Sequence, residues 1–92
     1  MLKLQFRDRR RESVWLVDKK FTIGKSSTNS LMIDDSSVHD FHVEIKNELD
    51  KVTIMNTAGT PSLLLNGKPV PRHAILRAKD VIKIGNVELE LI

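Results

Sequence analysis

Apolar residues recur at every second position in short runs along the whole chain, and turn-forming residues separate the runs. Such alternation buries one face of a run and wets the other, which is the pattern of a half-buried β-strand. No window of helical length carries a 3.6-residue stripe. Leu2, Leu4 and Phe6 alternate with Lys3, Gln5 and Arg7, a polar tip follows, and Val14, Trp15, Leu16 and Val17 return as the second arm of an antiparallel hairpin. Phe21 with Ile23, Leu31 with Ile33, Val43 with Ile45, and Val52 with Ile54 continue the pattern. Leu63 with Leu65, Val81 with Ile82 and Ile84, and Val87 with Leu89 and Leu91 complete it. The turn signals are residues 47–51 (NELDK), residues 57–61 (TAGTP), Asn66-Gly67 and Gly85-Asn86. Asn-Gly suits a two-residue hairpin because both central positions of a type I′ turn need φ > 0. About ten such strands predict an all-β fold of two packed antiparallel sheets, each burying one face.

The chain has 92 residues, enough for one core and too few for two, so a single domain is expected over residues 1–92. It contains no cysteine, which excludes disulfides and thiolate metal sites and suits a reducing compartment. No stretch approaches the roughly 18 apolar residues of a membrane-spanning helix, and the first residues alternate instead of forming a secretory apolar segment. The net charge is only +3, from 15 Lys and Arg against 12 Asp and Glu, which favours solubility over nucleic-acid binding. Phe6, Trp15, Phe21 and Phe41 are the aromatic residues, few platforms for stacking single-stranded bases.

Order and spacing then become specific. Residues 23–45 read IGKSSTNSLMIDDSSVHDFHVEI, followed by LLLNGKPV at 63–70 and LRAKDVIKIG at 76–85. Gly24-Lys25, then Asn29, the apolar run at 31–33, the polar loop at 34–37 and the His39-x-x-His42 step fall in this order without gaps. Over nearly its whole length the chain resembles the forkhead-associated (FHA) domain, a small β-sandwich that grips phosphothreonine peptides with the loops at one end. The resemblance implies an FHA-like sandwich of about 10–11 short strands. It also implies framework roles: Gly24 turning the backbone out of its strand, His42 bonding a neighbouring loop, and Asn66-Gly67, Asp80 and Gly85 setting the late turns. Lys79 stands where the family has the first glycine of its closing motif.

The phosphate-holding positions differ from the family. Lys25 replaces arginine and loses the planar fork that takes two phosphate oxygens at once. His39 replaces a serine, and Asp40 replaces a second arginine, turning attraction into repulsion toward a group carrying nearly two negative charges. Pro61 stands where an asparagine holds the peptide backbone, and proline has no amide donor. Charge-assisted hydrogen bonds contribute about 1.5–3 kcal/mol each, so losing two or three weakens a micromolar site to millimolar or worse. The candidate peptide or phosphate contacts are Lys25, Ser26, Ser36, Ser37, His39, Asp40, Thr60 and Asn66. Lys25, a protonated His39 and the hydroxyls of Ser26, Ser27, Ser36 and Ser37 could form a different anion pocket, one that strengthens as pH falls through the histidine range near 6.5.

The expected function is protein–protein recognition through residues 25–28, 36–40 and 57–62, phosphate-independent or weakly phosphate-dependent. Degenerate members of the family serve as docking modules, for instance in the cytoplasmic parts of bacterial secretion machines. The alternative is a phosphothreonine-peptide reader centred on Lys25. A second alternative is contact with nucleic acid or anionic membrane through the hairpin tip carrying Arg7, Arg9, Arg10 and Arg11, partly neutralised by Asp8 and Glu12. A metal site at His39 and His42 is disfavoured, since residues three apart in an extended strand point to opposite faces. Ser36, His39 and Asp40 are adjacent without triad geometry, and no G-x-S-x-G elbow occurs, so no enzyme activity is expected. The remaining expectations are a protein or peptide partner, no cofactor, no metal, no nucleic acid, a monomeric domain and a cytoplasmic location. Trp15 has two readings: outward, it anchors a partner; inward, it is core.

Overall fold

The computed structural model describes every residue except Met1, Arg9, Arg10, Arg11, Leu49 and Thr60. The described residues form β1 (Lys3–Phe6), β2 (Val14–Trp15), β3 (Lys20–Gly24), β4 (Leu31–Met32), β5 (Val43–Asn47) and β6 (Val52–Asn56). They continue with β7 (Leu63–Leu65), β8 (Lys68–Pro69), β9 (His73–Leu76), β10 (Val81–Ile84) and β11 (Val87–Leu91). One sheet has the order β2-β1-β11-β10-β7-β8 and the other β4-β3-β5-β6-β9. The inward members of each alternating run meet between the sheets: Leu4, Phe6, Leu63, Ile82, Ile84, Leu89 and Leu91 from the first, and Ile23, Ile45 and Ile54 from the second, all at most 1% exposed.

One pairing departs from the antiparallel expectation. β4 runs parallel to β3, with Ile23 opposite Leu31 and Gly24 opposite Met32. The segment after Gly24 doubles back along the sheet edge before turning forward again. There Thr22 and Ser30 exchange bonds: the Thr22 N–H donates to the Ser30 hydroxyl and the Ser30 N–H to the Thr22 hydroxyl, both at 3.0 Å. The resulting sandwich is mixed at this one edge.

The late turns follow from local chemistry. Asn66 and Gly67 have φ of 51° and 84°, so both central residues of the β7–β8 hairpin are left-handed, as a type I′ turn requires. The Asn66 side chain donates to Asp80 Oδ1 at 3.0 Å and accepts the Val81 N–H at 2.9 Å. Asp80 Oδ2 accepts the Arg77 N–H at 2.8 Å, closing the turn before β10.

Trp15 points outward. It is 52% exposed while Leu16 is fully buried, and the Lys3 ammonium lies 5.2 Å from its ring centroid. The end of β3, the start of β5, the end of β6, the start of β7 and the β10–β11 turn converge at one end of the sandwich, the loop end. Cross-links confirm that convergence: the Gly85 N–H donates to the Ser62 carbonyl and the Asn86 N–H to the Ser37 hydroxyl.

Candidate functional site at the loop end

Two loops make the centre of this end, residues 25–30 after β3 and residues 33–42 before β5. The main chain staples them together. The Lys25 N–H donates to the His39 carbonyl at 2.9 Å and the Ser26 N–H to the Asp40 carbonyl at 3.2 Å. Asn29 adds a second link, its side-chain amide donating to the Ser26 carbonyl at 2.8 Å and to the Asp40 carbonyl at 2.7 Å. Asn29 is therefore a positioning residue absent from the expected contacts, and its signal was a single asparagine between Gly24 and the apolar run of β4.

Gly24 is required here for a different reason from the turn suggested by the family resemblance. It lies within β3 and its φ is not left-handed, but a Cβ at this position would overlap the Asp40 carbonyl and crowd the Asn29 amide. Gly85 is constrained twice: its φ is 59°, and a Cβ there would strike Ser37.

Ser37 proves to be part of this frame. Its hydroxyl donates to Asp35 Oδ1 at 2.6 Å and accepts the Asn86 N–H at 2.8 Å, so it ties the loop to the β10–β11 turn. Asn66 sits at the far end of β7 from Ser62, about 13 Å along the strand by its rise per residue, and its side chain serves the Asp80 turn. Thr60 lies outside the described residues, as do Arg9, Arg10 and Arg11 of the basic hairpin tip. Arg7, at that hairpin's base, is 4.0 Å from Glu88, and both side chains are about half exposed.

His42 is the one buried polar or charged side chain among the described residues, fully enclosed. Its Nδ1 accepts the His39 N–H at 3.1 Å, which places the ring proton on Nε2. Nε2 lies 3.2 Å from the Ser62 carbonyl and 3.1 Å from the Ser62 hydroxyl, so the imidazole is a strut between the loops before β5 and β7. Burial lowers its pKa; the bond to the Ser62 carbonyl opposes that shift, and the neighbouring His39 adds to it.

The two imidazoles lie closer together than an extended strand allows. A turn at Asp40 and Phe41 replaces the strand assumed from sequence, and the ring centroids are 5.2 Å apart with planes at 62°. Their proximity does not make a metal site. The Nδ1 lone pair of His42 is taken by the His39 amide, and no group of three His, Asp, Glu or Cys among the described residues could hold an ion.

What remains outward is the surface a partner would meet. Lys25, Ser36, His39 and Asp40 are exposed, and Lys25 has no ion pair among the described residues. Phe41 is 55% exposed and Met32 50%. Phe41, Thr57, Thr28 and Asn29 line a groove of about 300 Å³ that continues onto Thr22 and Glu44 of the outer sheet face. The structure thus brings Lys25, Ser26, His39 and Asp40 together and adds an apolar element that the sequence had not pointed to.

Known proteins share the fold. Residues 9–92 fit the family described as the inner membrane component of T3SS, cytoplasmic domain. The FhaA FHA domain, solved in complex with the intracellular domain of another protein, superposes with a TM-score of 0.92 at 23% identity, covering 100% of both chains. The FHA domain of the CT664 protein from Chlamydia trachomatis gives 0.90 at 17% identity, covering 99% of this chain and 95% of that one. The N-terminal FHA domain of S. cerevisiae Rad53p, solved with a phosphothreonine peptide, gives 0.84 at 16% identity, covering 99% and 91%. No curated protein sequence matches the chain.

Proposed function

The chain belongs to the FHA-type family formed by the cytoplasmic domain of the T3SS inner membrane component, and from that premise we propose that it docks a protein partner through the loop end without requiring phosphothreonine. The role is recognition, carried out on the cytoplasmic side of a membrane. One observation carries the phosphate-independent reading. The main-chain staples fasten the Asp40 backbone to the Lys25 loop and leave its side chain exposed, so the end that an anion drawn to Lys25 approaches also carries a carboxylate. Lysine there supplies a point charge without the planar fork, and the carboxylate opposes a dianion.

The apolar part of the surface favours a folded or extended protein segment as the ligand. Phe41 and Met32 are large, exposed side chains on the same end as Lys25, and Phe41 lines the groove beside Thr57. Aromatic anchors beside a mixed-charge rim are typical of protein interfaces, in which a few buried side chains carry most of the affinity.

The test is a two-dimensional amide NMR titration with a degenerate phosphothreonine peptide pool and its unphosphorylated twin. The expected result is no shift at Lys25 or residues 36–40 that depends on phosphate. Saturable shifts seen only with the phosphorylated pool, and lost in Lys25→Ala, would establish the reader instead.

A further inference from the structure

The pole opposite the loops carries a second surface. Lys3 is opposite Trp15 in the β1–β2 register, and on its other side it exchanges both backbone bonds with Ile92 at 2.8–2.9 Å. These three side chains alternate with buried Leu4, Leu16 and Leu91, so they form one row on the outer face of the six-stranded sheet. Val17 follows just past the end of β2, after a tight turn at Leu16 in which its N–H donates to the Trp15 carbonyl at 3.1 Å. Trp15, Val17 and Ile92 are 52%, 63% and 45% exposed, half of the large exposed apolar side chains among the described residues. Scattered single exposures are normal on a soluble domain, whereas a row of three at one edge asks for a covering surface.

The charges around the row are lysines and Asp18, and the β5–β6 turn at the same pole, tied to Leu16 and Lys19 through Asn47, adds exposed Glu48, Asp50 and Lys51. Lys3 lies within it, exposed Lys19 follows Val17 after Asp18, and exposed Lys79 bonds through its main chain to the Leu91 carbonyl, next to Ile92. Glu90 is the nearest acid on the same strand face and is partly buried one row inward, opposite Gln5. A tryptophan with aliphatic neighbours and flanking lysines has the chemistry of a bilayer interface: the indole enters the headgroup region while ammonium groups meet anionic lipid.

We propose that this pole rests on an anionic lipid bilayer, with Trp15, Val17 and Ile92 at the headgroup level and Lys3, Lys19 and Lys79 against lipid phosphates. The nearness of a membrane rests on the family assignment; the choice of pole rests on the residues. Docking this way turns the loop end, on the far side of the sandwich, toward the cytoplasm, so lipid and protein partner bind without competing. It also separates this surface from Arg7, because β1 runs from Lys3 at this pole to Phe6, and the Arg7 N–H that follows bonds the Glu88 carbonyl near the β10–β11 turn at the loop end.

Trp15 is the chain's single tryptophan and therefore its own reporter. The experiment adds vesicles of phosphatidylcholine with 30% phosphatidylglycerol, or of phosphatidylcholine alone, to the 92-residue chain. Emission wavelength and quenching by brominated lipid are read at low and high salt. The expected result is a blue shift and quenching on anionic vesicles only, reversed by high salt, with partitioning reduced about fivefold or more in Lys3→Gln/Lys79→Gln, which keeps the reporter and removes no buried group. No spectral change with the folded domain overturns the proposal, as does equal binding to neutral vesicles. A protein partner lost on Trp15→Ala without any lipid response likewise overturns it and assigns the row to protein. The Lys25 titration is unaffected by each of these results, so the two readings fail separately.

Discussion

Replacing His42 with alanine should cost about 2–4 kcal/mol of stability. The ring is fully buried, and removing it takes the Nδ1 acceptor from the His39 N–H and the Nε2–H that the Ser62 carbonyl and hydroxyl share, at 3.1–3.2 Å, while the Ser62 carbonyl keeps the Gly85 N–H. Each hydrogen bond contributes about 1 kcal/mol net, and the vacated ring volume adds a packing loss of similar size, less whatever a water entering the gap restores. A domain of this length has about 5–14 kcal/mol in total, so the variant stays folded. Its melting temperature should fall by about 10–25 °C at the usual conversion for small domains. Circular dichroism is the appropriate probe, because Trp15 is already half exposed in the folded state and reports unfolding poorly. Amide exchange should accelerate first at His39 and in residues 57–62, and least at the Asn66-Gly67 turn. His42→Asn, which can still accept from the His39 N–H, should recover part of the loss. A change below about 0.5 kcal/mol with His39 exchange unaltered would refute the strut assignment, since it lies below the value of even one hydrogen bond.

Two further outcomes follow from the same geometry. Because burial lowers the folded-state pKa of His42 below the ordinary histidine value of 6.5, its neutral form is favoured by folding. Stability is therefore fully present above about pH 6.5 and is lost as pH falls through the lower folded pKa, with a slope of up to about 1.4 kcal/mol per pH unit from this group. Urea melts from pH 7.5 to pH 5 measure it, and an identical slope in His42→Asn would show that another group is responsible. Lys79 has φ of 75°, where a side chain is strained. Lys79→Gly should relieve about 1–2 kcal/mol and return about 0.5–1 through the looser unfolded chain, for a net gain of about 0.5–1 kcal/mol. A thermal melt showing no increase would count against strain at that position.

The parts of the fold that sequence revealed are those set by neighbouring residues. Leu4 with Phe6, or Leu89 with Leu91, alternate cleanly, and Asn66-Gly67 announces a left-handed turn. The facing of Trp15 was not legible because Val14, Trp15, Leu16 and Val17 are apolar without interruption, so alternation gives no phase. Ser37 illustrates the complementary limit. A hydroxyl in a polar loop reads as a ligand contact, yet its partner is the Asn86 amide, 49 positions away in sequence. The His39 and His42 rings converge because of a two-residue turn at Asp40 and Phe41 that carries neither glycine nor proline to mark it. At the β3–β4 edge, parallel pairing depends on how residues 25–30 double back, which their composition does not encode.

The distribution of bonds at the loop end explains why the fold and the ligand can diverge. The loops are held by main-chain groups at Lys25, Ser26, His39 and Asp40 and by the inward side chains of Asn29, Asp35, Ser37 and His42. None of these bonds uses the outward side chains of Lys25, His39, Asp40 or Phe41. Exchanging an outward side chain of this kind usually changes stability by less than about 0.5 kcal/mol. The same exchange removes or adds about 1.5–3 kcal/mol from a charged ligand. Ligand chemistry at these positions is therefore nearly free of folding constraint. A TM-score of 0.84 at 16% identity to a phosphothreonine-bound domain consequently reports the inward set, which this chain folds around, and is silent about the outward set. Lys25, Asp40 and Phe41 belong to the outward set, and under the proposed docking it is their chemistry that a partner would meet.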